Sequence, residues 1–305
     1  MEFAVTHDTQ TMTAFTLAHL SDPHVPPMPE PEWRELMSQR VLGYVNWKRN
    51  RHQYHRRDML DVLVADMQAQ APDHIAVTGD LVNLALAAEF PRARRWIEVV
   101  GKPDHVSLVP GNHDAYVKGA AETFVETFGD YMRSDDASVA TFPYLRIREP
   151  VALIGVSSSV PTAPFMATGW LGDAQLEALD RLLASLADTH LFRVLLIHHP
   201  LRSEKWMKRL TDSDALQALL KQHGVELILQ GHDHIHSTMW FEGPQRRIPA
   251  IGVPSASSLA HGHKPAAAYN LFAIERDGER WRCEQTVRGF GDGNMVHELK
   301  RKMLV

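Results

Sequence analysis

A single cysteine, Cys283, in 305 residues excludes an intrachain disulfide and any thiolate cage for a metal. A metal here would fall to His, Asp, Asn or Glu, and the scarcity of thiols fits a reducing compartment. Long apolar runs are missing as well. Val194–Ile197 is among the longest purely aliphatic stretches, far short of the ~20 residues that span a bilayer. Met1 to Thr13 is polar, without the basic start and apolar stretch of a secretory leader, so the expectation is a cytoplasmic protein. Positive charge is not in excess either: the formal net charge is −5, which gives no general attraction to nucleic acid. With no internal repeat, long linker or low-complexity tract, one α/β domain is expected at 14–288. A loose or disordered segment is expected at 1–13, and a loosely attached tail at 289–305.

Histidine, by contrast, is plentiful: there are eighteen, many beside Asp, Asn, Gly or Pro just after an apolar run. Phe15–Leu20 is such a run and ends in Ser21-Asp22-Pro23-His24, which cannot continue a strand. The same grammar recurs four times. Ile75–Thr78 leads to Gly79-Asp80, and Val106–Val109 to Pro110-Gly111-Asn112-His113-Asp114. Val194–Ile197 leads to His198-His199-Pro200, and Leu227–Gln230 to Gly231-His232-Asp233-His234.

Helical patterns lie between, over Asp58–Gln70, Ala88–Val100, Gly119–Phe128, Asp173–Leu186 and Asp212–Gln222, with Asp173 and Asp212 placed to cap the last two. Strand and helix alternation implies a largely parallel sheet, whose carboxyl ends collect ligands. From Val139 to Val156 and from Ser237 to Arg288 the pattern is strand-rich with short turns, which predicts a second sheet packed on the first.

One carboxylate can bridge two divalent ions when other O and N donors complete each shell. Asp22, His24, Asp80, Asn112, His198, His232 and His234 are donors of that kind. Singly, each has an ordinary alternative, Asp22 and Asn112 as turn residues and His198 as a histidine satisfied by backbone. Together they form an order, Asp-x-His, Gly-Asp-x-x-Asn, Gly-Asn-His-Asp, His-His-Pro and Gly-His-x-His, in which each motif follows a strand.

Through those five blocks, in that order, the chain from about Phe15 to Glu275 resembles the calcineurin-like metallophosphoesterase superfamily. The resemblance implies an αββα sandwich of two mixed sheets flanked by helices, and two divalent or mixed-valence ions drawn from Mn, Fe or Zn. It implies that Asp22, His24 and His234 hold the first ion and Asn112, His198 and His232 the second. Asp80 would bridge both, and a bridging hydroxide would attack phosphorus. His113 would serve the leaving group, with Asp114 orienting its ring. Of the adjacent pair His198 and His199, the resemblance selects His198. Asn83 is placed either to meet a substrate phosphate or to cap a helix, and His236, His261 and His263 either to line the pocket or to sit on the surface.

The segment from Val25 to Arg57 is an insertion, Pro-rich at Pro26–Pro31. From Leu36 to Arg57 it is basic, with Arg40, Lys48, Arg49, Arg51, Arg56 and Arg57 among Leu42, Tyr44, Val45 and Trp47 and no acidic residue. It reads either as a helix packing on the body or a partner subunit, or as a lid over a small anionic phosphoester substrate. The His-His-Pro block and Gly169-x-Leu171 leading to Gln175-Leu176 are similar to the cyclic nucleotide and glycerophosphodiester phosphodiesterases of the superfamily, which favours a phosphodiesterase. Pyrophosphate hydrolysis of a nucleotide-sugar lipid, and a non-catalytic protein-binding scaffold, are the alternatives. No extended nucleic-acid binding is expected, while peripheral membrane contact and a homo-oligomer stay open.

Overall fold

The apolar runs become strands because each alternates its side chains between two hydrophobic layers. In a computed structural model that describes residues 14–278, 280–291, 293 and 295–305, β1 is Phe15–Leu20, β2 His74–Val77, β3 Val106–Leu108, β4 Tyr144–Arg148, β5 Val151–Gly155 and β6 Phe192–Leu196. The rest are β7 Leu227–Gln230, β8 Ser237–Phe241, β9 Ile248–Gly252, β10 Ala268–Asp277, β11 Arg280–Phe290 and β12 Val296–Met303. The expectation for 1–13 falls outside the described residues.

These strands form two six-stranded sheets, ordered β12-β11-β10-β1-β2-β3 and β4-β5-β6-β7-β9-β8. Both are mixed: β1, β2 and β3 run parallel, as do β5, β6, β7 and β9, while β10 is antiparallel to β1 and β8 to β9. Val194 and Leu196 of β6 join a core shared with β1, β2 and β3, whereas Leu195 and the following Ile197 join a second core on the opposite face. Such fully buried aliphatic side chains each contribute roughly 1.5–3 kcal/mol.

The described residues form six α-helices, α1 Arg40–Arg49, α2 Arg57–Ala69, α3 Glu89–Val100, α4 Ala120–Phe128, α5 Asp173–Ser185 and α6 Ser213–His223, of which α1 buries no residue and lies outside the two main cores. Leu60, Leu63 and Met67 of α2, Trp96 and Ile97 of α3 and Phe124 and Phe128 of α4 enter the first core. Leu176, Leu179 and Leu183 of α5 and Leu216 and Leu220 of α6 enter the second.

Two local expectations need correction and a third holds in part. The tail is not loose: β12 pairs along β11, and Leu304 packs into the first core. Asp173 is the first helical residue of α5, and the cap position belongs to Gly172 at φ 84°. Asp212 does hold the N-cap position of α6, but its side chain makes no cap bond; its Oδ2 instead accepts the backbone N–H groups of Leu171 and Gly172, both at 2.9 Å, fixing the turn into α5.

Candidate metal centre

The carboxyl ends of β1, β2, β3, β6 and β7 converge, and the loops leaving them are stitched together by backbone. Asp22 N–H donates to Gly79 O and His24 N–H to Asp80 O, each at 3.0 Å, and Gly231 N–H donates to His198 O at 3.0 Å. Glycine is required where these loops touch. A Cβ on Gly111 would run into the Asp80 carboxylate, and one on Gly231 into the Ser21 hydroxyl.

Backbone strain concentrates here. Asp22, His24, Asp80, His232 and His234 have φ of 53°, 37°, 56°, 71° and 55°, the left-handed region that L side chains avoid. Of the non-glycine residues with positive φ among the described residues, only Ala71, Ala85 and Phe165 lie outside the set of candidate ligands. Each such residue costs of order 1–3 kcal/mol, and strain of that kind persists where the surrounding structure holds it for function.

The carboxylates and imidazoles of Asp22, His24, Asp80 and His234 each offer a ligand atom within 4.8 Å of the others. His24 Nδ1–H donates to Val82 O at 3.1 Å, which fixes the tautomer and leaves its Nε2 lone pair facing inward, 3.5 Å from His234 Nε2. His198 is set the same way: Nδ1–H donates to Thr78 O at 2.6 Å, and Nε2 lies 3.2 Å from Asn112 Oδ1. His232 Nδ1 is 2.8 Å from the same Asn112 oxygen, and its buried Nε2 has no partner among the described residues. Asp80 Oδ2 stands between the two groups, 3.8 Å from His24 Nε2 and 3.5 Å from His198 Nε2.

Electrostatics agree with a cation-demanding site. Burial, then the charge of Asp22, pushes the Asp80 carboxyl well above the usual range. Burial acts the same way on Asp22, but His234 at 3.0 Å outweighs it and holds that carboxyl low. Burial keeps the rings of His24, His113 and His232 neutral, reinforced at His24 and His113 by Arg51. Neutral imidazoles with buried carboxylates, all oxygen and nitrogen donors, fit two borderline divalent ions.

All seven expected ligand residues are thus brought together. His199 packs its ring on His232, with centroids 4.5 Å apart, and its Nδ1 lies 2.7 Å from the Ser158 hydroxyl. One expected contact is replaced. Asp114 does not meet the His113 ring; its carboxylate accepts the backbone N–H groups of Asp80 and Gly111 at 2.8 Å, Leu81 at 2.9 Å and Val82 at 3.1 Å, locking the loop that carries Asp80. His113 Nδ1–H donates instead to the carbonyl oxygen of Asn83. The Asn83 amide is buried and reaches His24 O at 3.4 Å rather than the cavity, so Asn83 braces the loop.

A cavity of about 260 Å³ opens over these groups, lined by Asp80, Asn112, His113, His232 and His234, and also by Arg51, Tyr54, His55, Lys208, His261 and Lys264. Arg51 follows α1 in the insertion, so the basic segment does reach the site. Tyr54, His55, Lys208 and Lys264 carry no local signal. Burial, then Lys208 and Arg51, lowers the Lys264 ammonium to about 8. Of the three loop histidines, His261 lines the cavity, His236 lies at a separate pocket beside Lys300 and Lys302, and His263 is exposed.

Comparison with known proteins agrees with this architecture. The profile of the calcineurin-like phosphoesterase family matches residues 15–236. A dimetal phosphatase from Danio rerio superposes with a TM-score of 0.62 at 13% identity, over 94% of this chain and 99% of that one. A purple acid phosphatase from yellow lupin (Lupinus luteus) seeds superposes with a TM-score of 0.57 at 11% identity, over 94% of this chain but 53% of that one. At these identities the likeness is one of fold. No curated protein sequence matches the chain.

Proposed function

The chain belongs to the calcineurin-like phosphoesterase family, and from that premise we propose that it is a dinuclear-metal phosphoester hydrolase with a preference for phosphodiesters. Asp22, His24 and His234 would hold one ion, Asn112, His198 and His232 the other, with Asp80 placed to serve both. The observation that carries this is the position of Asp80 Oδ2, one oxygen placed within 4 Å of a donor nitrogen in each group.

A pair of Mn, Fe or Zn ions there supplies Lewis acidity toward phosphoryl oxygens and brings the pKa of water toward neutrality. The protein contributes the rest. Carbonyl oxygens of Val82 and Thr78 hold two imidazoles in the ligating tautomer. Asp114 keeps the Asp80 loop from drifting. His113 Nε2 faces the cavity 3.1 Å from Arg51 Nη1, so imidazole and guanidinium stand side by side where a leaving oxygen needs a proton or a positive charge. An anionic substrate opposes the effect of Arg51 on the ring and raises its proton affinity, the condition for His113 to act as the acid.

The test is hydrolysis by metal-stripped protein reconstituted with Mn, comparing an aryl phosphodiester, an aryl phosphomonoester and a cyclic nucleotide. Metal-dependent diester turnover above monoester turnover is expected; monoester preference would overturn the diester assignment, and no turnover with both sites filled would overturn the hydrolase.

One observation favours a second reading, pyrophosphate hydrolysis of a lipid-linked nucleotide. Trp33, Met37, Val41, Leu42 and Val45 of the insertion are exposed, an apolar surface suited to acyl chains. Turnover of a lipid-linked pyrophosphate that requires detergent or vesicles would select it.

A further inference from the structure

The cations around the cavity outnumber the charge that the proposed reaction itself would bring. Arg51 comes from the insertion, Lys208 from the 3-10 turn Trp206–Lys208 after β6, and Lys264 from the loop between β9 and β10. Three separate segments therefore deliver positive charge to one wall. Arg51 contacts His24 Nε2 at 2.8 Å and Lys264 Nζ contacts His234 Nδ1 at 3.3 Å, but these are neutral partners. None of the three cations makes an ion pair among the described residues, and Asp80 is the only carboxylate lining the cavity there. The carboxylates of Asp22 and Asp80 are already committed to the metal ligands, and a phosphodiester carries one negative charge.

The wall is also braced. Arg56 N–H donates to Ser257 O and Leu259 N–H to Tyr54 O, both at 2.8 Å, and His55 Nδ1 lies 2.8 Å from the Ser257 hydroxyl. The Tyr54 ring stacks on His261 with centroids 3.8 Å apart and planes 14° from parallel. The end of the insertion, which carries Arg51, is thereby fastened to the loop that carries Lys264, so these two cations are held near each other before any ligand arrives. Holding like charges together without counter-charges is unfavourable unless an anion is to be bound, and pre-organisation lowers the cost of binding it.

We propose that Arg51, Lys208 and Lys264 form a subsite for a second phosphate group, so that the substrate is a phosphoester carrying a further phosphate beyond the one that is cleaved. The proposal rests on the hydrolase reading for the cleaved group, and the subsite itself is read by binding alone. Lys208 and Lys264 serve as point charges on the second phosphate, and Arg51 reaches from it toward the leaving side of the scissile one.

The experiment is calorimetric titration of Mn-loaded full-length protein with thymidine 5′-phosphate and with thymidine 3′,5′-bisphosphate, which share base and sugar and differ by one phosphate. The bisphosphate is expected to bind about tenfold or more tightly than the monophosphate. Most of that advantage is lost in Lys208→Ala and in Lys264→Ala and retained in Lys208→Arg. Equal affinities, no measurable binding of either probe, or an advantage that survives both alanine variants would overturn the subsite. Absence of diester turnover would sink the hydrolase reading instead, and would leave this ratio of affinities unaffected.

Discussion

The guanidinium of Arg51 donates to Nε2 of His24 at 2.8 Å and reaches Nε2 of His113 at 3.1 Å. A metal ion on His24 would use the same lone pair, so metal and guanidinium would compete for it. Removing the side chain removes both the competitor and a like charge. Arg51→Ala is therefore expected to bind Mn roughly tenfold more tightly by calorimetry, while its KM for a phosphoester rises. Weaker Mn binding in the variant would show that Arg51 supports the site rather than competing in it.

Ligand and acid roles are expected to separate in variants. Asp80→Ala removes the oxygen lying between the two donor groups and is expected to lose metal as well as turnover. The His113 ring is held by Asn83 O and by the edge of His24, while its backbone N–H, which an alanine variant keeps, donates to Asp80 Oδ1 at 2.8 Å. His113→Ala is expected to keep both ions and lose about 10²–10⁴ in kcat. Metal analysis of the two purified variants decides it: loss of ions from His113→Ala would return that residue to the ligand set.

The left-handed backbone at His232, φ 71°, gives an unusual order of stability. Alanine keeps the Cβ that strains this conformation, whereas glycine does not. Both His232→Ala and His232→Gly lose a ligand, yet the glycine variant is expected to unfold at higher denaturant, by about 1 kcal/mol. Equal midpoints in metal-free buffer would mean that the loop relaxes once the imidazole is gone.

Strand-terminal motifs were readable because a buried parallel strand is a short aliphatic run, and chemistry follows where the run stops. Asp22, Asp80, Asn112, His198 and His232 all obey that rule, and the two-sheet architecture followed from the same alternation. What sequence could not show was decided by pairings distant in the chain. β12 is polar on its exposed face and gains its place from β11. The contact of Asp114 with the Asp80 loop spans more than thirty positions. Lys208 and Lys264 reach the cavity from loops with no periodicity to mark them. Nor does any local pattern announce left-handed φ at an aspartate or histidine, although five such residues frame the site.

Far from the site, Asp66 ties α2 to the sheet: it accepts Arg288 Nε and Nη2 at 2.8 Å each and the Tyr269 hydroxyl at 2.6 Å. Burial alone would raise its carboxyl, but these bonds prevail and its pKa ends below the usual value. A carboxylate depressed by folding adds stability above its unfolded pKa of about 4 and loses it as pH falls through the folded value. Asp66→Asn removes the charge but keeps the shape, leaving Arg288 and Tyr269 poorly matched. The variant is expected to be about 1–3 kcal/mol less stable at pH 7, with the gap to wild type narrowing below about pH 4. Urea unfolding of both proteins across pH 3 to 7 measures it, and a gap that stays constant over that range would show that the ionised carboxylate contributes no more than the amide.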